Sequence, residues 1–322
     1  MKNFNPLVSV VLPVYNRPSV VNTIQSLLNQ TYKNFELLII DNCSTDNTVD
    51  LIKNKFTDER IHVYVNESNM GQTYSIKKGF SLAQGVYIAR IDADDLATSD
   101  RFQKQVSFLE NNPEFGFCGS WVQFITDDDK KSFVIRTCQT DLGFRFLQTI
   151  CCGMYHPALM VRKEILTRNN ISYDENLHMA EDYNLWNDLL SVTKGMNIPE
   201  ILLYYRRGVN NDSKKHAQLM KKEYYEVRKK ICNNIENKEE MFNVIEIELK
   251  RNRNFVDFFT TMFFYRKYIK KYIRTTELDY SLIRDQVRNH HLTSFLSDND
   301  NLIFRLLFIF YKVARKIYYM TR

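Results

Sequence analysis

Asp92, Asp94 and Asp95 follow directly on the apolar run of residues 86–91. Neighbouring carboxylates repel one another unless a cation or hydrogen-bond donors neutralise them. A hard divalent ion is one natural partner, and Mg2+ or Mn2+ can bridge such carboxylates to a diphosphate. The other reading is a cluster at the start of a helix, where aspartates suit the positive end of the dipole. A second acidic pair, Glu181 and Asp182, precedes the apolar residues Leu185 and Trp186 and so begins a helix. Two roles are open to it: a dipole contact, or a general base aimed into a cleft. His156 precedes Pro157 and an apolar run. It reads first as a hydrogen-bonded structural histidine and second as an acceptor-binding group.

The elements that must position these groups can be read from periodicity. Residues 7–13 and 35–40 are short, nearly continuous apolar runs, as expected of buried strands, and 61–65 and 86–91 read as a third and a fourth strand. Between them lie helical patterns. Ser19 can cap one that carries Val20, Ile24, Leu27 and Leu28. Asp46 can cap a second, with Val49, Ile52 and Phe56. Residues 71–83 form a third, with Gly85 placed to close it in a left-handed cap. Such alternation predicts a parallel sheet covered by helices on both faces. Ligands of these sheets bind beyond the carboxyl ends of the strands. The polar segments 13–16, 41–42 and 92–95 all fall at that edge.

Other classes fit poorly. The chain has no G-x-G-x-x-G and no G-x-x-x-x-G-K-[ST], and only 9 glycines in 322 residues. A nucleotidyltransferase would want a glycine-rich phosphate loop near the N-terminus, and residues 13–17 contain no glycine. The 6 cysteines form no CxxC pair and match no zinc spacing. Residues 7–12 are too short for a signal-peptide core. These features predict a reduced, cytoplasmic protein.

The ordered segments resemble glycosyltransferase family 2. The resemblance is carried by residues 10–17 (VVLPVYNR), 26–32 (SLLNQTY), 36–46 (ELLIIDNCSTD) and 69–71 (NMG). It continues through 85–95 (GVYIARIDADD), His156-Pro157 and 180–183 (AEDY), covering residues 7–207 in order. It implies an α/β fold of the GT-A type: a nucleotide-sugar-binding sheet flanked by helices, here with a mainly helical C-terminal extension. The implied activity is inverting, metal-dependent transfer of a hexose or N-acetylhexosamine from a nucleotide-sugar, with a UDP-sugar the first choice. The subset it most resembles builds bacterial lipooligosaccharide and exopolysaccharide.

The resemblance also implies roles. Pro13, Val14, Tyr15 and Asn16 would line the base and ribose, with Arg17, Asn42, Asn69, Gly71, Lys77, Ala93 and Glu181 also on the donor side. Asp41 would stand beside the base. Asp92 would face the ribose or the metal, Asp94 would ligate Mn2+ or Mg2+, and Asp182 would be the general base. Three positions depart from the family pattern. Asn42 stands where many relatives carry an acid, which weakens the expectation of uridine because an amide has a different donor–acceptor pattern. Lys77 replaces a frequent Asn. Gly208 stands where a metal-ligating His is common, with His216 or a water as substitutes.

Charge and composition divide the chain further. Residues 214–322 hold 23 Lys and Arg against 13 Asp and Glu, a balance of +10, while the remainder nets −4. The expected domains are a catalytic one over 1–212, with a nucleotide-sugar half at about 1–115 and an acceptor half at about 116–212, and a helical, basic, aromatic region over 213–322. Residues 255–273 and 302–319 interleave aromatics with Lys and Arg. Their longest apolar run, 306–311, is far short of the roughly 20 residues that span a bilayer. They fit either a helix lying on an anionic membrane surface or one packed on the catalytic domain or a second subunit. Without a recognisable module, nucleic acid is not an expected partner. A glycan or lipid-linked saccharide is the expected acceptor. The competing class is a non-catalytic nucleotide-sugar or glycan-binding protein on the same fold, and the intact Asp92, Asp94 and Asp182 argue against it.

Overall fold

A computed structural model describes residues 5–207 and 216–233, together with Glu239, Met241 and Asn243. The chain divides into two compact units, Met1–Val227 and Arg228–Arg322. In the second, Arg228 is buried and its Nη2 lies 3.2 Å from the Met241 sulfur. The first unit begins with strand β1 (Val8–Val14), helix α1 (Val20–Leu28), β2 (Phe35–Asp41), α2 (Thr48–Lys55), β3 (Ile61–Val65), α3 (Gln72–Leu82) and β4 (Tyr87–Arg90). Then come β5 (Leu96–Ala97), α4 (Arg101–Asn111), β6 (Phe115–Ile125), β7 (Lys131–Ile135) and α5 (Asp141–Gln148). A short 3-10 helix (His156–Ala158) precedes β8 (Met160–Arg162), α6 (Lys163–Arg168), α7 (Glu181–Leu190) and β9 (Lys194–Arg206). Helix α8 (Ala217–Cys232) follows.

The strands join in the order β3-β2-β1-β4-β8-β6-β9-β5, with β7 paired to β6. Strands β1 to β4 are mutually parallel where they pair, as the alternating pattern predicts. Beyond β4 the sheet is mixed, because β8 runs antiparallel to both β4 and β6. Every residue of β1 and β2 is buried, which explains their nearly continuous apolar reading. The edge strand β3 is only partly covered. Val10, Leu12, Leu37, Ile39 and Ala89 meet Ile24 and Leu27 of α1 in one core.

The expected caps form differently. Ser19 is helical and its hydroxyl caps nothing. Gly85 is not left-handed: a Cβ there would lie 2.6 Å from the Leu7 carbonyl and 2.7 Å from the Ser9 nitrogen. Its reason is close approach, since its N–H donates to the Ser9 hydroxyl at 2.7 Å, which in turn donates to the buried Glu36 carboxylate. Asp46 does not cap α2 either: Asn47 holds the N-cap position with no side-chain cap bond, and Asp46, one residue earlier, accepts the Thr48 N–H at 3.0 Å in a local turn.

No disulfide joins the cysteines. Cys118, Cys138 and Cys232 are buried, while Cys43, Cys151 and Cys152 are partly exposed. Among the described residues no helix is long and apolar enough to cross a membrane. The aromatic-basic runs at 255–273 and 302–319 lie outside the described residues, as does Gly208.

Candidate functional site

The ends of β1 and β2 are locked together by a turn-to-turn exchange. Asn16 sits at φ 44° and Cys43 at φ 65°, both left-handed. Asn tolerates this conformation because its short side chain bonds locally. Here the Asn16 Oδ1 accepts the Thr45 N–H at 2.8 Å, and its own N–H donates to the Ser44 hydroxyl at 2.9 Å. Tyr15, Asn16 and Arg17 are left exposed beyond the strand, while Pro13 and Val14 are buried beneath them. Asp41 is fully buried, and both its oxygens are taken by Ser44, from the hydroxyl at 2.5 Å and the N–H at 2.9 Å. It therefore shapes the turn rather than presenting a free carboxylate.

Asn42 anchors the next loop. Its Nδ2 donates to Asn69 at 2.6 Å, and its Oδ1 accepts from the Met70 N–H at 2.9 Å and from Asn66 at 3.2 Å. Asn69 also accepts the Gly71 N–H at 3.1 Å. Gly71 lies at φ 86°, a conformation that costs glycine little and L side chains much. The departure at Asn42 thus has a local reason: an amide both donates to and accepts from this loop, which a carboxylate could not do. Lys77 lies on α3 and pairs with Glu175 at 2.5 Å, both side chains near half exposure. That is a surface pair of small value, and it directs the lysine to a carboxylate of its own chain.

At the end of β4 the acidic cluster surrounds a buried cation. Arg90 is 1% exposed; its Nη2 and Nη1 reach the two oxygens of Asp92 at 2.5 and 3.0 Å. Gln72 adds a third bond to Asp92 at 3.0 Å. Asp95 is fully buried: one oxygen accepts the Arg206 N–H at 2.8 Å, and the other has no protein partner. Burial, then the charges of Asp92 and Asp94, push its pKa well up. Arg206 also donates to the Asp94 carbonyl at 2.8 Å, which fixes the loop against the end of β9. Ala93 accepts the Thr23 hydroxyl through its carbonyl at 3.0 Å.

Asp94 differs from its neighbours. Its side chain is 20% exposed, and its nearest cation is Arg17, 3.6 Å away and 45% exposed. Burial and the charge of Asp92 raise its pKa. A carboxylate short of positive charge is relieved by a hard cation. Asp92, expected beside it as a ligand, is already engaged by Arg90 and Gln72, so Asp94 is the better donor. Among the described residues no group of three or more His, Cys, Asp or Glu could hold a metal ion. The residues present therefore fit an ion that takes one carboxylate from the protein and its remaining ligands from substrate phosphates and water, as Mg2+ commonly does. His216 is exposed at the start of α8.

Glu181 and Asp182 open α7, as expected. Asp182 is partly exposed; one oxygen accepts the Tyr183 N–H at 2.7 Å and the other lies 3.7 Å from the Cys152 thiol. Burial raises its pKa to about 6, against the lowering effect of the Tyr183 N–H and of Arg90. Glu181 is buried, with one oxygen unpartnered and the other 3.8 Å from His156 Nδ1. Burial, then the charge of Asp182, raises it to about 8. His156 is buried, bonded through Nε2 to the Tyr173 hydroxyl at 2.7 Å, and held neutral by burial. That fits its structural reading.

Several residues that organise this site are weakly marked in the sequence. Arg90 carried a signal: a charge inside an apolar strand must be paired. Cys152, Arg206 and Glu223 carried none, since nothing local marks them. Glu223, on α8, accepts the N–H groups of His178, Met179 and Ala180 at 3.0, 2.8 and 3.2 Å.

The family model described as glycosyl transferase family 2 matches residues 9–168. An uncharacterized glycosyltransferase of Methanocaldococcus jannaschii is 32% identical over 246 residues, covering 71% of this chain and 83% of the relative. The TuaG glycosyltransferase of Bacillus subtilis, named for teichuronic acid biosynthesis, is 41% identical over 122 residues, covering 37% of this chain and 48% of TuaG. The crystal structure of Staphylococcus aureus TarS 1-349 in complex with UDP-GlcNAc superposes with a TM-score of 0.58 at 16% identity, covering 90% of each chain. The mannosyltransferase PcManGT of Pyrobaculum calidifontis, in complex with GDP-Man and Mn2+, gives 0.55 at 12% identity, covering 92% of this chain and 89% of that one. At these identities the shared feature is the fold, a GT-A sheet flanked by helices.

Proposed function

Since the chain belongs to glycosyl transferase family 2, and is thus a glycosyltransferase, we propose that it moves a hexose or N-acetylhexosamine from a nucleotide-sugar to a glycan acceptor with inversion. The observation that carries this reading is the convergence around Arg90. Its guanidinium binds Asp92 directly, and its charge also reaches Glu181 and Asp182. The acidic end of β4 and the head of α7, residues 92 and 181 in the chain, therefore share the field of one buried cation.

On this reading the exposed Tyr15–Arg17 turn and the Asn42–Asn69–Gly71 loop hold the nucleotide. TarS with UDP-GlcNAc and PcManGT with GDP-Man support a nucleotide-sugar donor. UDP is our first choice of nucleotide, and the amide at Asn42 is the reason to test others. Arg17 supplies a cation near the diphosphate, and Asp94 holds the divalent ion, with Mn2+ supported by the PcManGT complex. When bound, such an ion offsets the negative charge that builds on the departing nucleoside diphosphate.

Asp182 is the general base. The acceptor hydroxyl oxygen attacks the anomeric carbon as the bond to the diphosphate oxygen breaks, and the leaving group keeps that electron pair. Asp182 takes the hydroxyl proton. A base tuned to about 6 is largely ionised at neutral pH yet stronger than an ordinary carboxylate. Glu181, held near 8, keeps its proton there and spares Asp182 a second adjacent charge. One displacement inverts the anomeric centre.

Surface-polysaccharide synthesis is the biological setting that TuaG supports. A lipid-linked saccharide is the acceptor class we favour, met at the inner face of the cytoplasmic membrane through the basic tail.

The test combines a thermal-shift screen of nucleotide-sugars with product analysis. A bound donor raises apparent stability by mass action. NMR of the product from an α-linked donor should show a β linkage. An α product would sink the single displacement.

A further inference from the structure

The head of helix α7 lacks a cap of its own. Its N-cap residue is Ala180, which has no side-chain oxygen to offer, and no side-chain cap is formed there. The backbone donors just before the helix are nevertheless satisfied. One oxygen of Glu223 accepts three consecutive N–H groups, from His178, Met179 and Ala180. Successive amides converging on one anion form a nest, and a carboxylate bound this way makes charge-assisted bonds stronger than neutral ones. Glu223 is only 5% exposed, so this carboxylate is committed to that contact. Its bond to Ala180 lies two residues before Asp182.

Helix α8 brings a second group to the same place. Tyr224 packs against Tyr183 with ring centroids 5.2 Å apart. Burial, then the charge of Asp182, pushes the Tyr224 phenol well up. Adjacent residues of one turn of α8 thus grip the backbone before Asp182 and cover the ring after it. Such a brace on both sides of a catalytic group sets its position to the tolerance that proton transfer requires.

We propose that Glu223 is a positioning residue for the general base, acting through the 178–180 backbone, and that the catalytic unit therefore continues past residue 212 to include helix α8. This rests on the assignment of Asp182 as base. Residues 1–212 alone would keep the sheet and the acidic cluster while losing the brace on α7.

Asp182 is faced by Glu181 on its own helix, Arg90 from β4, Cys152 from the segment after α5, Tyr173 and Tyr224. Loosening the turn would admit water and relieve the burial that raises its pKa. The acidic limb of the kcat–pH profile should then move down.

The experiment uses the full chain with Glu223→Ala, Glu223→Gln and, as a separate arm, Asp182→Asn. Transfer is followed from the identified nucleotide-sugar, with circular dichroism as the check on fold. Glu223→Ala should lower kcat about tenfold or more while the donor KM stays within about threefold, the split expected when a transition-state interaction is lost. Its acidic limb should fall by roughly half a pH unit. Glu223→Gln, which keeps an acceptor oxygen of the same reach, should recover part of kcat.

Native kcat in a folded Glu223→Ala overturns the proposal. So does a parallel loss of kcat and donor binding with an unmoved limb, or a Glu223→Gln chain that fails to fold, since either makes Glu223 a general fold determinant. The Asp182→Asn arm separates the two ideas. Retained activity there removes the base assignment itself, whereas failure of the Glu223 arms alone leaves that assignment standing.

Discussion

The two terminal nitrogens of Arg90 lie 2.5 and 3.0 Å from the two carboxylate oxygens of Asp92, and this fork sits under the edge where β1 and β4 end. Arg90 is buried and Asp92 only 22% exposed at its side chain. A buried ion pair is weak evidence for net stability, but breaking one by removing a single partner strands a charge. Asp92 and Asp94, two residues apart, should therefore behave differently when changed.

Asp92→Ala should destabilise the fold by about 3 kcal/mol, because Arg90 keeps a buried charge without its fork. Asp94→Asn should leave stability within about 0.5 kcal/mol of the parent, since its carboxylate pairs with the exposed Arg17 and feels Arg206 only through its charge. It should nevertheless abolish transfer under limiting Mn2+. Urea denaturation and a Mn2+ titration of the rate measure the two effects. Equal destabilisation by both changes would remove the distinction.

Asp182→Asn should lower kcat by roughly 100-fold to 10,000-fold with little change in donor affinity. Loss of donor binding with a retained rate at saturation would make Asp182 a binding residue instead.

In the parent, kcat should fall as pH drops through about 6, where Asp182 takes up a proton and ceases to accept one. Stopped assays across pH 5 to 8, under donor and acceptor saturation, would place the limb. A flat profile over that range would argue against a carboxylate base with this burial.

Glu181 should leave a signature in stability. Its ordinary value is 4.5 and its folded value about 8. The folded chain thus retains a proton that the unfolded chain releases, so this group's stabilisation is complete below 4.5 and is lost as pH rises through about 8. Glu181→Gln cannot release a proton. Its urea midpoint should change less than the parent's between about pH 5 and pH 8, and equal slopes would count against the raised value.

The basic region beyond residue 213 should bind anionic vesicles. Each Lys or Arg near such a surface contributes about 1 kcal/mol, falling away within a Debye length. Sedimentation with anionic and neutral vesicles, at low and high salt, should show salt-sensitive binding to the anionic ones. Replacing Arg305, Lys312, Arg315 and Lys316 together by Glu in the full chain should remove it. Unchanged binding would return that stretch to a role in packing on this chain or on a second copy.

The sequence by itself determined the sheet's first half. Residues 8–14 and 35–41 are buried on both faces, so their runs are apolar but for Ser9, Glu36 and Asp41, and such a run between helical patterns is legible without coordinates. It also determined that Asp92, Asp94 and Asp182 would stand at element ends, because strand and helix boundaries are local properties. Tertiary structure decided what each carboxylate does there. Burial, and the partner that happens to face it, separate Asp92 in its Arg90 fork from Asp94 beside an exposed Arg17 and from Asp182 held near 6. The same holds for Gly85, whose left-handed cap was a local inference and whose actual constraint is the backbone of β1. Glu223 is the extreme case. Its bonds span 43 to 45 residues, and an acid on an amphipathic helix looks like any solvated acid until the fold brings three amides to it.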